Sequence, residues 1–263
     1  MPVPAKAQVQ RSYFSHIGTL LRVASSKLVA MPSAPGRAEA VRRLRQQLLW
    51  LTIIGAVVIV ALMFSFDATE ISMMPKRGEP DLWPARVLTD FGKDEYVLWC
   101  LVAGLVAIAV LGPLLQGAPR TRLLHLGTHL QYLFLAVLLP VLFTEAVKWV
   151  VGRGRPFVGG KANPFNFVPF TGTEAYFSFP SAHSVTAFAL AFAVGAVWPR
   201  TRLAMFVYAV AIGATRLLLL AHHPSDVVAG AVIGLVGAMA VRYYFAARQL
   251  GFTVSENGKI VPL

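Results

Sequence analysis

Phe179-Pro180-Ser181-Ala182-His183-Ser184 is a short polar turn that runs directly into an apolar stretch continuing to residue 198. A helix starting here leaves its first backbone N–H groups unpaired and carries partial positive charge at that end, so Ser181, Ala182 and His183 frame a site for an anion. The apolar stretch behind the turn is one of several. Runs of about bilayer-crossing length occur at 48–66, 96–117, 130–151, 184–198, 202–221 and 226–247, the fourth being the shortest. The chain of 263 residues is 56% hydrophobic and only 14% charged, too apolar for an ordinary soluble domain. The expected fold is all-α: a polytopic membrane protein with a six-transmembrane-helix core.

Basic residues flanking the runs set the expected orientation. Residues 1–49 hold Lys6, Arg11, Arg22, Lys27, Arg37, Arg42, Arg43 and Arg45 against Glu39 alone, whereas 67–95 holds seven acidic and four basic residues. Arg120, Arg122, Arg200, Arg202, Arg242, Arg248 and Lys259 fall on the same side as the N-terminal segment. Both termini are therefore expected in the cytoplasm. Three segments follow: a basic N-terminal segment over 1–47, a membrane domain over 48–248 and a cytoplasmic tail over 249–263. Half of the +12 net charge lies in the first segment, where anionic lipid headgroups are the nearer partner than nucleic acid. No cleavable signal peptide is read, because the first apolar run begins near residue 48 behind the basic tail. Cys100 is the single cysteine, so no intrachain disulfide forms.

Phe14, Ile17, Leu21, Ala24 and Leu28 recur at spacings of three and four, the pattern of a basic amphipathic helix on the inner membrane surface, with a disordered basic tail as the alternative. Residues 31–36 read as a linker. The outer segment 67–95 reads as short interfacial helices or as a surface loop. Pro113 and Pro140 fall inside runs and read as kinks. The loop 152–180 is long and rich in Gly, Pro and Phe.

Charged and polar residues gather at the outer ends of four runs: Lys148, Arg153 and Arg155-Pro156 after the third, Ser181 and His183 before the fourth, Arg216 and His222 at the end of the fifth, Asp226 at the start of the sixth. Each has a bland reading alone, as a snorkelling lysine or a first-turn carboxylate. Arg216 differs, because six residues before His222 at ~1.5 Å per residue it lies roughly 9 Å deeper along a helix, where an unpaired charge is costly. Three cations, a helix N-terminus and two histidines suit phosphoryl transfer: the cations neutralise the transferring group's oxygens, a carboxylate-oriented histidine can attack phosphorus, and a second histidine can protonate the leaving oxygen.

Lys148-x6-Arg155-Pro156, Pro180-Ser181-x-His183 and Arg216-x5-His222-x3-Asp226 resemble, in order and spacing, the three signature motifs of the type-2 phosphatidic acid phosphatase family, over roughly residues 50–247. The resemblance implies a six-helix membrane core and metal-independent dephosphorylation of lipids without a cofactor. It further implies His222 as nucleophile, Asp226 as its partner, His183 as acid, and Lys148, Arg155, Ser181, Ala182 and Arg216 as phosphate holders. Ala182 stands where the family usually has glycine, and Thr215 where it usually has serine. The expected partner is a phosphorylated lipid of the undecaprenyl pyrophosphate, phosphatidylglycerol phosphate, phosphatidic acid or lipid A type, met at the outer face of a bacterial inner membrane. Two other readings stand beside it: a metallohydrolase using His183, His222, His223 and Asp226, and a non-enzymatic lipid-phosphate binding or transport protein. His223 reads as structural, Glu145 as a partner of Lys148, and Glu174 as a solvated loop carboxylate.

Overall fold

The computed structural model describes residues 5–32, 37–160 and 162–263, and the side chains of 5–12 and 14 lie outside that description. So do the end of the expected linker and the side chain of Phe14. Nine α-helices are described: α1 Ala5–Val29, α2 Arg37–Ser65, α3 Asp67–Met73, α4 Trp83–Asp90, α5 Asp94–Leu111, α6 Gly117–Val151, α7 Ala182–Val197, α8 Arg202–Leu218 and α9 Pro224–Ala247. A short antiparallel pair follows, β1 Phe252–Val254 with β2 Ile260–Pro262.

Five helical stretches, Arg37–Ser65, Pro80–Leu114, Gly117–Val151, Pro199–Leu218 and Pro224–Ala247, are long and apolar enough to cross a membrane. α7 has 16 residues, about 24 Å at ~1.5 Å per residue against a hydrocarbon core of ~30 Å. It is also the helix around which the others gather, packing on α6, α8 and α9. Val185, Ala187, Ala189 and Ala193 are fully buried in it. The outer helices show the converse: Trp50, Ile54, Val57, Val60 and Phe64 of α2 and Trp99 and Val106 of α5 stay exposed. Apolar faces of that extent suit hydrocarbon rather than water, so the molecule is compatible with a polytopic membrane protein.

Several boundaries differ from those read off the sequence. α2 begins at Arg37 and α6 at Gly117, so Arg120 and Arg122 sit on the first turns of a helix rather than in a loop. Pro113 lies in a 3-10 turn over Gly112–Leu114 and ends α5 instead of kinking it, whereas Pro140 does lie inside α6. Residues 67–95 form helices, α3 and α4. α1 is helical, but its half-buried face carries Tyr13, Ile17, Leu20, Ala24 and Leu28, while Leu21 is exposed. Tyr13 Oη donates to the Val110 carbonyl at 2.7 Å and Tyr244 Oη to that of Leu28 at 2.6 Å, which tie this helix to the bundle. The last residues, expected as a soft tail, instead pack the β1–β2 hairpin on the core: Phe252 and Val254 are buried, and the Phe252 ring meets Tyr132 at 4.8 Å.

Candidate active site

α6 ends at Gly152, a left-handed residue (φ 55°) whose N–H returns to the Lys148 carbonyl at 2.9 Å. Only glycine suits this position, since an added Cβ would stand 2.1 Å from the Val168 carbonyl oxygen. The turn leaves Lys148 buried on the last helical turn, paired with Glu145 at 2.6 Å. It sends Arg153 wholly inside and leaves Arg155 half-buried.

Arg153 is the hinge pin of this end of the bundle. Its guanidinium donates to Asp226 Oδ1 and Ser225 Oγ at 2.6 Å each, to Asp67 Oδ2 at 2.8 Å and to the Pro164 carbonyl at 2.8 and 3.0 Å. Asp67 also accepts the Ser225 N–H at 3.0 Å and its hydroxyl, so α3, the 152–180 loop and the start of α9 are locked together. Two carboxylates around one guanidinium leave an excess of negative charge. Glu70, one turn further along α3, is buried with both oxygens unpartnered. Burial, then the charges of Asp67 and Asp226, raise it to about 7.

Asp226 is saturated: Oδ2 accepts from Ser178 Oγ at 2.6 Å and from the His223 N–H at 2.8 Å. His223, buried at the N-cap of α9, sets its Nε2 3.3 Å from the Gly154 carbonyl, while its Nδ1 is buried without a partner. Asp226 does not hydrogen-bond His222, whose Nδ1 is 3.9 Å away. That ring nitrogen instead lies 2.7 Å from the Ser178 carbonyl oxygen. A carbonyl only accepts, so Nδ1 carries the proton and Nε2 keeps its lone pair. The orienting partner of His222 is therefore the Ser178 backbone, with Asp226 acting one step removed through the Ser178 hydroxyl.

Nor do Arg216 and His222 lie on one helix. α8 ends at Leu218, and a left-handed Leu220 (φ 48°) turns the chain, with the Ala221 N–H closing on the Arg216 carbonyl at 3.0 Å. The two residues meet by this turn rather than across the expected helical rise. Arg216 Nη1 donates to Thr89 Oγ1 at 2.7 Å while its Nε is buried without a partner. Thr215 directs its hydroxyl to its own helix, 2.6 Å from the Ile212 carbonyl.

Ser181 caps α7, its Oγ accepting weakly from the Ser184 N–H at 3.4 Å, and its own N–H donates to the Asp226 carbonyl at 3.1 Å. Ala182 is buried behind it. His183, half-buried, has an Nε2 with no partner. The charges of Arg216, Lys148 and Arg155 act on His183 and His222 alike, so the imidazoles share one set of cations. Burial first, then Arg216 and Arg155, holds the His222 pKa well below its ordinary value, against the pull of the Ser178 carbonyl.

Sequence reasoning missed Asp67, Thr89, Ser178 and Ser225, and set Arg153 aside. Only Arg153 left a signal, as a charge two residues from Arg155 in an otherwise apolar context. Among the described residues no three His, Cys, Asp or Glu side chains cluster to hold a metal.

Fold and site together define a helical membrane-type protein in which two imidazoles lie under the shared charge of Lys148, Arg155 and Arg216. The chain belongs to the PAP2 superfamily, the type-2 phosphatidic acid phosphatases, whose family model matches residues 129–250. It is 32% identical over 173 residues to the lipid A 1-phosphatase of Rhizobium johnstonii, covering 65% of this chain and 71% of that protein. The lipid A 1-phosphatase of Rhizobium etli is 32% identical over 174 residues, covering 65% and 75%. The decaprenylphosphoryl-5-phosphoribose phosphatase of Mycolicibacterium smegmatis is 34% identical over 146 residues, covering 56% and 69%. No solved structure matches the chain at a significant level.

Proposed function

We propose that the protein is an integral membrane lipid phosphatase that removes a terminal phosphate through a phosphohistidine on His222. The observation that carries this reading is the His222 tautomer: the Ser178 carbonyl holds the proton on Nδ1, leaving Nε2 as a neutral nucleophile beside Lys148, Arg155 and Arg216. The phosphate of the substrate sits at the N-terminus of α7, its oxygens neutralised by the three cations and by the N–H groups after Ser181. Nε2 attacks phosphorus in line; the P–N bond forms as the P–O bond to the lipid breaks, and His183 gives its proton to the leaving oxygen. His183 then takes a proton from water, whose oxygen attacks the phosphohistidine, releasing inorganic phosphate and restoring His222.

The reading includes six crossings, with the short α7 as the sixth. Cytoplasmic termini and an active site facing outward complete it, the site being recessed because α7 stops short of the bilayer surface. The metallohydrolase alternative is disfavoured by the donor set, since His222 Nδ1 faces a carbonyl and Asp226 is filled by Arg153, Ser178 and His223.

Phosphate release by detergent-solubilised protein from phosphatidic acid, lipid A and a lipid diphosphate tests the proposal. Release should persist in excess EDTA, be inhibited by vanadate, and fall at least 10³-fold in His222→Ala together with loss of the phosphoenzyme. Activity lost in EDTA and restored by zinc would reject the phosphohistidine route.

A further inference from the structure

Four arginines line one cavity of about 300 Å³: Arg155 and Arg216 of the proposed catalytic set, with Arg77 and Arg86 from the outer segment between α3 and the end of α4. Arg86 Nη2 donates to the carbonyls of Gly78, at 3.3 Å, and Glu79, and so fastens the turn that carries Arg77. That turn needs glycine at residue 78, where φ is 96°. None of the four guanidiniums forms an ion pair among the described residues. Asp90, whose charge reaches Arg216, pairs with Lys93 at 2.8 Å, and Glu174 influences Arg155 from beyond ion-pair distance.

An isolated surface arginine is an ordinary solvated charge. Four around one cavity, one of them fastening the turn that holds another, repel each other until an anion enters. The charge of Arg77 reaches Arg155 and opposes its protonation, as burial does more strongly. A terminal phosphoryl group carries about −1.5 to −2 charges, which Lys148, Arg155, Arg216 and the α7 N-terminus already offset. Two cations remain.

We propose that Arg77 and Arg86 form a second phosphate subsite, so that the preferred substrate carries another phosphate on the same headgroup as the one removed. The proposal rests on the phosphatase reading above. A second phosphate can be adjacent, as in a lipid diphosphate, or remote, as in a bis-phosphorylated glycolipid, and both present the same chemistry to the arginines.

The test compares wild type, Arg77→Gln and Arg77→Lys, all full-length in detergent, on three substrates: a lipid diphosphate, a bis-phosphorylated glycolipid and phosphatidic acid. Among the described residues Arg77 donates no side-chain hydrogen bond, which makes it a safer probe than Arg86. Arg77→Gln should lower kcat/KM about tenfold on a doubly phosphorylated lipid, the worth of one charge-assisted hydrogen bond, and no more than two- to threefold on phosphatidic acid. Arg77→Lys should recover part of the loss. Whichever doubly phosphorylated lipid suffers identifies the adjacent or the remote arrangement. Equal losses on all three substrates, or none on any, overturn the subsite. If wild type releases phosphate from no lipid, the phosphatase reading fails by itself. Binding of inorganic pyrophosphate against orthophosphate, and of the bis-phosphorylated glycolipid against its singly phosphorylated form, then decides the subsite: a tenfold margin in either pair that disappears in Arg77→Gln supports it, and equal binding in both pairs overturns it.

Discussion

The nucleophilic role proposed for His222 rests on its burial beside guanidiniums, which disfavour the imidazolium and keep a lone pair on Nε2 well below the ordinary pKa of 6.5. Protonation removes the nucleophile, and both burial and the charges of Arg216 and Arg155 oppose protonation. The acidic limb of kcat/KM, which reports the free enzyme, is therefore expected below pH 6.5. A limb at or above 6.5 that vanishes with His222 would count against a buried neutral nucleophile. Glu70 gives a stability prediction of opposite sign. Its folded pKa is raised from 4.5 to about 7, so below pH 4.5 the side chain is protonated in folded and unfolded chains alike and costs nothing. Between 4.5 and 7 the unfolded chain releases its proton while the folded one keeps it, and stability declines, by about 3 kcal/mol once pH exceeds 7. Glu70→Gln is expected to melt several degrees higher than wild type in detergent at pH 8 and equally at pH 4.5; equal melting at pH 8 refutes the buried, unpaired carboxylate. Motif spacing made the eight proposed site residues legible. The groups that aim them were not, because Ser178 acts through a backbone carbonyl, which any residue supplies, and Asp67 meets Arg153 across 86 positions.

At the scale of elements, the site depends on how closely α7 lies against α9. A Cβ added at Gly230 would stand 2.5 Å from the Ser181 carbonyl oxygen and 2.8 Å from Ser184 Cβ, and one at Gly234 would stand 2.5 Å from the Val185 carbonyl oxygen. These glycines let the backbones approach, as small residues do between membrane helices. Because Ser181 also donates to the Asp226 carbonyl, the separation of the two helices fixes the proposed anion-binding turn relative to His222. Gly230→Ala is therefore expected to push Ser181 away and cost about 10²-fold in kcat, while the protein still inserts and purifies as a helical bundle. Turnover within twofold of wild type would show that the helix separation does not set the geometry. The apolar runs announced the long helices, since length and hydropathy suffice for that. Helix ends were less legible: Arg37 to Gln47 continues α2 with too many charged residues to read as part of an apolar run, and the 3-10 turn at Pro113 depends on packing that hydropathy does not encode. The hairpin after α9 was lost for the same reason, because Phe252 and Val254 join the core through residues distant in sequence, among them Tyr132.

At the scale of the molecule, charge and site lie at opposite ends. α6 carries Arg120 near its start and Lys148 near its end, 28 residues and about 42 Å apart along the axis, more than the ~30 Å hydrocarbon core. Arg200 before α8, Arg202 at its start, and Arg242 and Arg248 at the end of α9 share the Arg120 end, whereas His183, His222 and Asp226 share the Lys148 end. On the proposed reading, the preference of lysine and arginine for cytoplasmic loops would direct the site outward, with the lipid tail entering sideways between helices and the headgroup meeting His222 in the outer leaflet. Ala162, in the loop beside the site, and Asn257, in the turn of the C-terminal hairpin, are both exposed and mark the two ends. In a Cys100→Ser background, Ala162→Cys should react with a membrane-impermeant thiol reagent in intact spheroplasts, and Asn257→Cys should react only after lysis. The reverse pattern would turn the molecule over and direct its chemistry to phosphates on the cytoplasmic leaflet, leaving the basic N-terminal segment on the side where positive charge is least retained.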